Sequence, residues 1–173
     1  MKKVAVILAD GMEELEALTP IDVLRRANVL VDSISVGEQM VTSSHNVKVV
    51  ADKMLQETDL GNYDCIVLPG GMPGAKNISQ NRVVVSAVKN ALAQNKLVCA
   101  ICASPAVILA KHGLLNGYTA TCYPASEFIS DLKCAYVEKD VEVCKNLITA
   151  NGPRSAFSFA LEICKALNVT PKF

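Results

Sequence analysis

Short apolar runs, each closed by a turn (Asp10-Gly11, Pro69-Gly70-Gly71 or Cys102-Ala103-Ser104), alternate along this chain with stretches whose apolar residues recur every three or four positions. Continuous runs are the pattern of strands covered on both faces, and the periodic stretches that of helices with one buried side. The pattern predicts strands over 3–9, 30–36, 64–68 and 97–102, with shorter ones near 118–122, 135–137 and 147–150. It predicts helices over 13–27, 82–94, 105–112 and 155–167, and a short one near 126–130. Pro20 falls inside the first helix, where it is expected to bend it. Residues 40–42 and 47–51 read as a short hairpin. Buried strands that alternate with helices form a parallel sheet with helices on both faces, because right-handed crossovers place them there. The expected fold is an α/β sandwich, with one domain over residues 1–173.

Composition supports a core of that size: the 173 residues are 51% hydrophobic, with no break along the chain. The 17 basic and 17 acidic side chains cancel and are dispersed. No block of like charge is present to track a phosphate backbone or an anionic membrane, so neither is an expected partner. The basic start and apolar run of residues 1–9 are cut short by Asp10, Glu13 and Glu14, and no small-residue cleavage site follows. A cytoplasmic location is expected. Seven cysteines, an odd number without a secretion signal, fit reduced thiols, most of them acting as small buried hydrophobes. Cys99 and Cys102 are spaced C-x-x-C, but on a strand, where i and i+3 face opposite ways; a redox pair belongs at a helix start. His45 and His112 are not spaced with cysteines as zinc ligands are, so no metal is expected.

In sheets of this kind ligands bind beyond the carboxyl ends of the strands. The three turns after the aliphatic strands therefore meet on one edge. Cys102 lies where a buried strand turns sharply into a helix, flanked by the small residues Ala100, Ala103 and Ser104 that let such an elbow close. Ser104 is placed to cap the helix and Pro105 suits its first turn. The helix amides would then favour thiolate, giving a titration midpoint well below the roughly 8.5 of a free thiol. Gly70 and Gly71 offer backbone N–H groups that approach an oxyanion closely. Glu13, Glu14 and Glu16 begin the first helix, where most acids only complement the dipole. One carboxyl beside a thiolate would instead retain its proton and serve as acid and base.

Asp10-Gly11-Met12-Glu13-Glu14-Leu15-Glu16, Pro20 to Ala27, Ile66 to Ala75, Ala100 to Pro105, Thr121-Cys122-Tyr123-Pro124, Asn151-Gly152-Pro153 and Ala156 to Leu161 together resemble the DJ-1/ThiJ/PfpI superfamily, and more narrowly its DJ-1/ThiJ (YajL-like) branch. The resemblance spans nearly the whole chain in order. It implies a flavodoxin-like three-layer sandwich with a mostly parallel central sheet, and a homodimer. Cys102 would be the reactive cysteine, Glu16 its acidic partner, and the amides of Gly70, Gly71 and Ala103 the oxyanion donors.

Departures narrow the function. A PfpI-type cysteine peptidase has histidine directly after the cysteine, where this chain has Ala103, so peptidase action is disfavoured. DJ-1 has histidine before the proline where this chain has Tyr123, which either donates a hydrogen bond or walls the pocket. An arginine that reaches the cysteine from the partner subunit aligns with His45, either an anion-binding residue at a subunit interface or an ordinary loop histidine. Arg26 matches another arginine near that site. The resemblance implies a cofactor-independent glyoxalase acting on glyoxal or methylglyoxal, with related deglycase action. Its alternative is an oxidative-stress sensor or redox-regulated chaperone, in which an oxidant converts Cys102 to sulfenate or sulfinate.

Overall fold

The structure, a computed structural model, describes residues 1–173. Its strands are β1 (Lys3–Leu8), β2 (Leu30–Ser35), β3 (Met40–Thr42), β4 (Lys48–Val50), β5 (Lys53–Met54), β6 (Cys65–Leu68), β7 (Leu97–Ile101), β8 (Val141–Cys144) and β9 (Leu147–Ala150). Seven of them form one sheet in the order β5-β2-β1-β6-β7-β9-β8, while β3 and β4 make the expected antiparallel hairpin. Every pairing in the large sheet is parallel except β8 with β9.

Strand residues alternate between two buried faces, as the period of two requires. Val4, Val6 and Leu8 join Val67, Cys99 and Ile101 on one side of the sheet. Helices α1 (Glu14–Arg26) and α5 (Ala156–Ala166) cover that side with Ala17, Ile21, Leu24, Phe159 and Ile163. Ala5 and Ile7 join Ile66, Leu68, Val98 and Ala100 on the other. There α2 (Gly74–Gln80), α3 (Arg82–Ala93), a π-helix (Pro105–Ala110) and α4 (Ser126–Leu132) supply Ile78, Val84, Val88, Ile108 and Leu132. The mostly parallel sheet with helices on both faces is the expected α/β sandwich. No helix is long and apolar enough to cross a membrane.

Several expectations need correction. The segments 118–122 and 135–137 make a single parallel bridge, Ala120 to Tyr136, rather than strands. Thr121 turns its backbone N–H to the Thr149 hydroxyl at 2.9 Å and its own hydroxyl to the Lys139 carbonyl at 2.8 Å, bonds that take the place of a ladder. The edge strand is β8 instead, whose Val-Glu-Val-Cys sequence is half exposed and carries no long apolar run. Helix α2 follows a Pro- and Gly-rich turn that masks it. The chain reverses direction in the sheet between β1 and β6: β2 and β5 lie to one side of β1, and β6, β7, β9 and β8 to the other. The crevice at that switch opens at the carboxyl ends of β1, β6 and β7, where a ligand site is expected.

Phe159 is fully buried between α5 and the sheet. Phe159→Ala should cost about 3–5 kcal/mol of stability, read as a lowered urea midpoint with unchanged slope. A loss below 1 kcal/mol would contradict the packing described.

Candidate active site at the carboxyl edge of the sheet

Beyond Ile101 the chain passes through Cys102 with φ +64°, a left-handed conformation that costs an L-residue roughly 1–2 kcal/mol. Backbone bonds hold it there. The Cys102 N–H donates to the Ala150 carbonyl at 2.9 Å, and the Tyr123 N–H donates to the Cys102 carbonyl at 2.8 Å. Ser104 does not cap the following helix: its hydroxyl donates to the Pro69 carbonyl at 2.5 Å and ties the elbow to the end of β6. The elbow leaves the cysteine half-buried.

Facing it is the turn after β6. A Cβ on Gly70 would lie 2.6 Å from the Cys102 Cβ and 2.6 Å from Glu16 Oε2, so a side chain here would separate the two groups. Gly71 has φ +85°, which favours glycine again. Glu16 enters from the first turn of α1. Glu13 is the N-cap of that helix, its Oε2 accepting the Glu16 N–H at 2.9 Å. The Glu16 side chain is wholly buried, and its Oε2 accepts the Gly70 N–H at 2.8 Å. Oε1 has no partner of ordinary hydrogen-bond geometry. The Cys102 thiol and the Glu16 carboxyl, both adjoining Gly70, are near enough to shift each other's titration.

Burial pushes the Glu16 carboxyl up to about 7, helped by the charge of Glu13 and opposed by Cys102 and the Gly70 N–H. The expected acidic thiol requires correction. Burial first, and the Glu16 carboxylate second, hold Cys102 above the ordinary thiol value, while the N–H groups of Gly71 and Ala103 pull it down. Two anions in contact in a dry pocket are disfavoured, so the pair titrates as a unit. At neutral pH the sulfur ionises only when the proton resides on Glu16. The Gly70 amide is committed to Glu16, which leaves Gly71 and Ala103 as the amides directed at sulfur.

The structure does not gather the remaining candidates equally. Tyr123 is 44% exposed, and its ring lies 3.3 Å from where a Cβ on Gly152 would stand. It forms a wall beside Cys102. His45 sits in the β3–β4 turn with its Nδ1 3.0 Å from Glu14 Oε1 and 4.0 Å from Glu13 Oε1, and the Glu14 contact raises its pKa. It reaches the start of α1 and makes no bond with Cys102. Arg26 lies at the opposite end of α1, about 15 Å along the axis from Glu16. Its Nε donates to Asp22 Oδ2 at 2.8 Å and its guanidinium lies 5.6 Å from the Phe173 ring centroid, so within one chain it is not part of this site. Glu13, Glu14 and His45 have ligand-type atoms within 4.8 Å of one another, but Glu13 caps α1 and Glu14 pairs with His45. Cys99 directs its sulfur to Cys65 across β6 and β7 at 3.7 Å, inside the core. Sequence reasoning missed the Glu13 cap on Glu16 and the Ser104 tie to Pro69; the Glu-x-x-Glu spacing was the available signal for the first.

Fold and site define a class, the flavodoxin-like α/β proteins that carry a cysteine on the elbow after a central strand. The chain belongs to the DJ-1/PfpI family, whose model matches residues 2–166. It is 42% identical over 163 residues to Protein DJ-1 homolog B of Arabidopsis thaliana, covering 93% of this chain but only 37% of that protein. It is 37% identical over 170 residues to the Parkinson disease protein 7 homolog of Danio rerio, covering 96% of this chain and 89% of that one. The solved structure of oxidized Toxoplasma gondii DJ-1 superposes with a TM-score of 0.92 at 41% identity, covering 96% of this chain and 91% of that one.

A carboxyl raised from 4.5 to about 7 on folding makes the native state bind more protons than the unfolded chain across that interval. Stability therefore falls as pH rises through the window, by up to about 3 kcal/mol. Glu16→Gln removes this dependence. The variant should gain stability relative to the wild type between pH 5 and pH 8 in urea titrations, and a difference independent of pH would contradict the raised carboxyl.

Proposed function

We propose that Cys102 and Glu16 form the catalytic pair of a cofactor-independent glyoxalase acting on glyoxal or methylglyoxal. The observation that carries this reading is the wholly buried Glu16 carboxyl, which is anchored by Gly70, has its second oxygen unpartnered, and lies with the Cys102 Cβ on either side of the Gly70 backbone. A group titrating near 7 both gives and takes protons at neutral pH.

With methylglyoxal, the Cys102 thiolate adds to the aldehyde carbon, and the proton on Glu16 passes to the aldehyde oxygen to give a hemithioacetal. The amides of Gly71 and Ala103 stabilise the oxygen while it carries negative charge. The Glu16 carboxylate then removes the proton from C1 and returns it to C2 while the hydroxyl proton on the C1 oxygen moves to the C2 oxygen, leaving a thioester of lactate on sulfur. Water hydrolyses the thioester, frees lactate and restores the thiol; the balance is methylglyoxal plus water to lactate. Deglycase action on glycated groups would use the same pair.

A second reading has its own support. The Toxoplasma relative is solved in an oxidized form, and a half-buried sulfur with two amides directed at it suits a sulfenate or sulfinate. In that case a peroxide oxidises Cys102 and the protein serves as a stress sensor or chaperone. Under either reading we place the protein in the cytoplasm as a homodimer. Seven free cysteines support a reducing compartment, and exposed Leu15, Leu18, Phe157 and Leu161 on the adjoining helices α1 and α5 support a subunit interface.

Lactate formation from methylglyoxal tests the enzyme reading. The wild type should turn over; Cys102→Ala should be inactive, and Glu16→Gln should lose about 10²–10⁴-fold in kcat. No lactate from the wild type, with selective oxidation of Cys102 by peroxide, would replace the enzyme with the sensor.

A further inference from the structure

The two backbone segments bonded to Cys102 continue into the walls of one open cleft of about 710 Å³. Tyr123, whose N–H meets the Cys102 carbonyl, forms one wall. The chain beyond Ala150, whose carbonyl accepts the Cys102 N–H, forms the other with Asn151, Arg154, Ser155 and Ser158, and Asp140 closes it. Most of these polar groups already satisfy one another. Asn151 donates through Nδ2 to Asp140 Oδ1 at 3.0 Å and accepts the Ser155 hydroxyl at 2.6 Å. Arg154 is exposed, and none of the ion pairs in the protein includes it, although Asp140 lines the same cleft. Asp140 is thus braced by Asn151, and the guanidinium is left as an unpaired cation in a cleft whose walls continue from the two segments bonded to the Cys102 backbone.

A neutral two- or three-carbon aldehyde gives that cation nothing to bind. A planar guanidinium with free donors matches carboxylate or phosphate oxygens, and does so with defined geometry. We propose that Arg154 makes this cleft selective for anionic reactants: small carbonyl compounds bearing a carboxylate or phosphate, with the anion on Arg154 and the carbonyl carbon delivered to Cys102. The proposal deepens the glyoxalase reading and rests on the reactive cysteine it invokes. Arg154 acts here as a specificity residue that takes no part in proton transfer. Tyr123, on the opposite wall, limits the width of what enters.

The test reads the reactivity of Cys102 without requiring turnover. Iodoacetate and iodoacetamide both alkylate a thiolate by displacing iodide, and they differ by one negative charge. The ratio of their rates at Cys102, measured by peptide mass spectrometry, reports the local field, with exposed Cys134 as an internal reference. The ratio should fall about threefold to tenfold in Arg154→Gln, hold in Arg154→Lys, and decline with added salt in the wild type. The ratio at Cys134 should not move. An unchanged Cys102 ratio in Arg154→Gln, with brisk alkylation by iodoacetamide, would overturn the role of Arg154 and leave the enzyme reading standing. No alkylation of wild-type Cys102 by either reagent, at a pH where Cys134 reacts to completion, would overturn both.

Discussion

One proton is shared between a carboxyl and a thiol in a pocket too dry to hold two negative charges, and the surrounding structure is arranged around that constraint. Glu16 has no solvent exposure, and its ionised form is held by one backbone amide, that of Gly70. Cys102 faces the same deficit of water, eased by the amides of Gly71 and Ala103. Neither group ionises without cost to the other. A carboxylate favours thiol, and a thiolate requires the acid to stay protonated. The sulfur is therefore a nucleophile whose strength depends on a single neighbouring proton, and that proton is also the one the proposed chemistry moves.

Close approach of the two groups makes demands on the backbone. Gly70 has no side chain because any Cβ would occupy the space between the cysteine and the glutamate. Cys102 accepts a left-handed conformation, fixed by bonds to Ala150 and Tyr123 on either side. Glu13 caps α1 through the Glu16 amide and so sets where the first helical turn begins. These features come from four separate chain segments that meet because β1, β6, β7 and β9 run parallel and end on one edge. Residues more than 130 positions apart in sequence meet there, and two covered sheet faces hold them in place.

Much of this was legible in the chain. Continuous aliphatic runs at β1, β6 and β7 require cover on both faces, which dictates the α/β sandwich; small residues around Cys102 imply a tight elbow; and Pro69-Gly70-Gly71 implies a backbone approach. What stayed hidden depends on tertiary partners. The Gly70 amide serves Glu16 instead of an oxyanion, and only the meeting of α1 with the β6 turn decides that. The Ser104 hydroxyl has a carbonyl within reach that local sequence does not reveal, so it abandons the cap. The thiol reads as acidic from helix amides alone because burial and the Glu16 charge, which act the other way, are not local. Arg26 lies ten residues from Glu16 on the same helix, and helical rise alone separates them.

The pH profile of Cys102 alkylation by iodoacetamide, in wild type and Glu16→Gln, tests the shared proton most directly. The wild type should show two steps, the first with a midpoint near 7 as the pair loses the first of its two protons, and the second at higher pH as the shared one leaves. Glu16→Gln should show one step. A wild-type profile with a single midpoint near the roughly 8.5 of a free thiol, superimposable on that of the variant, would contradict the account.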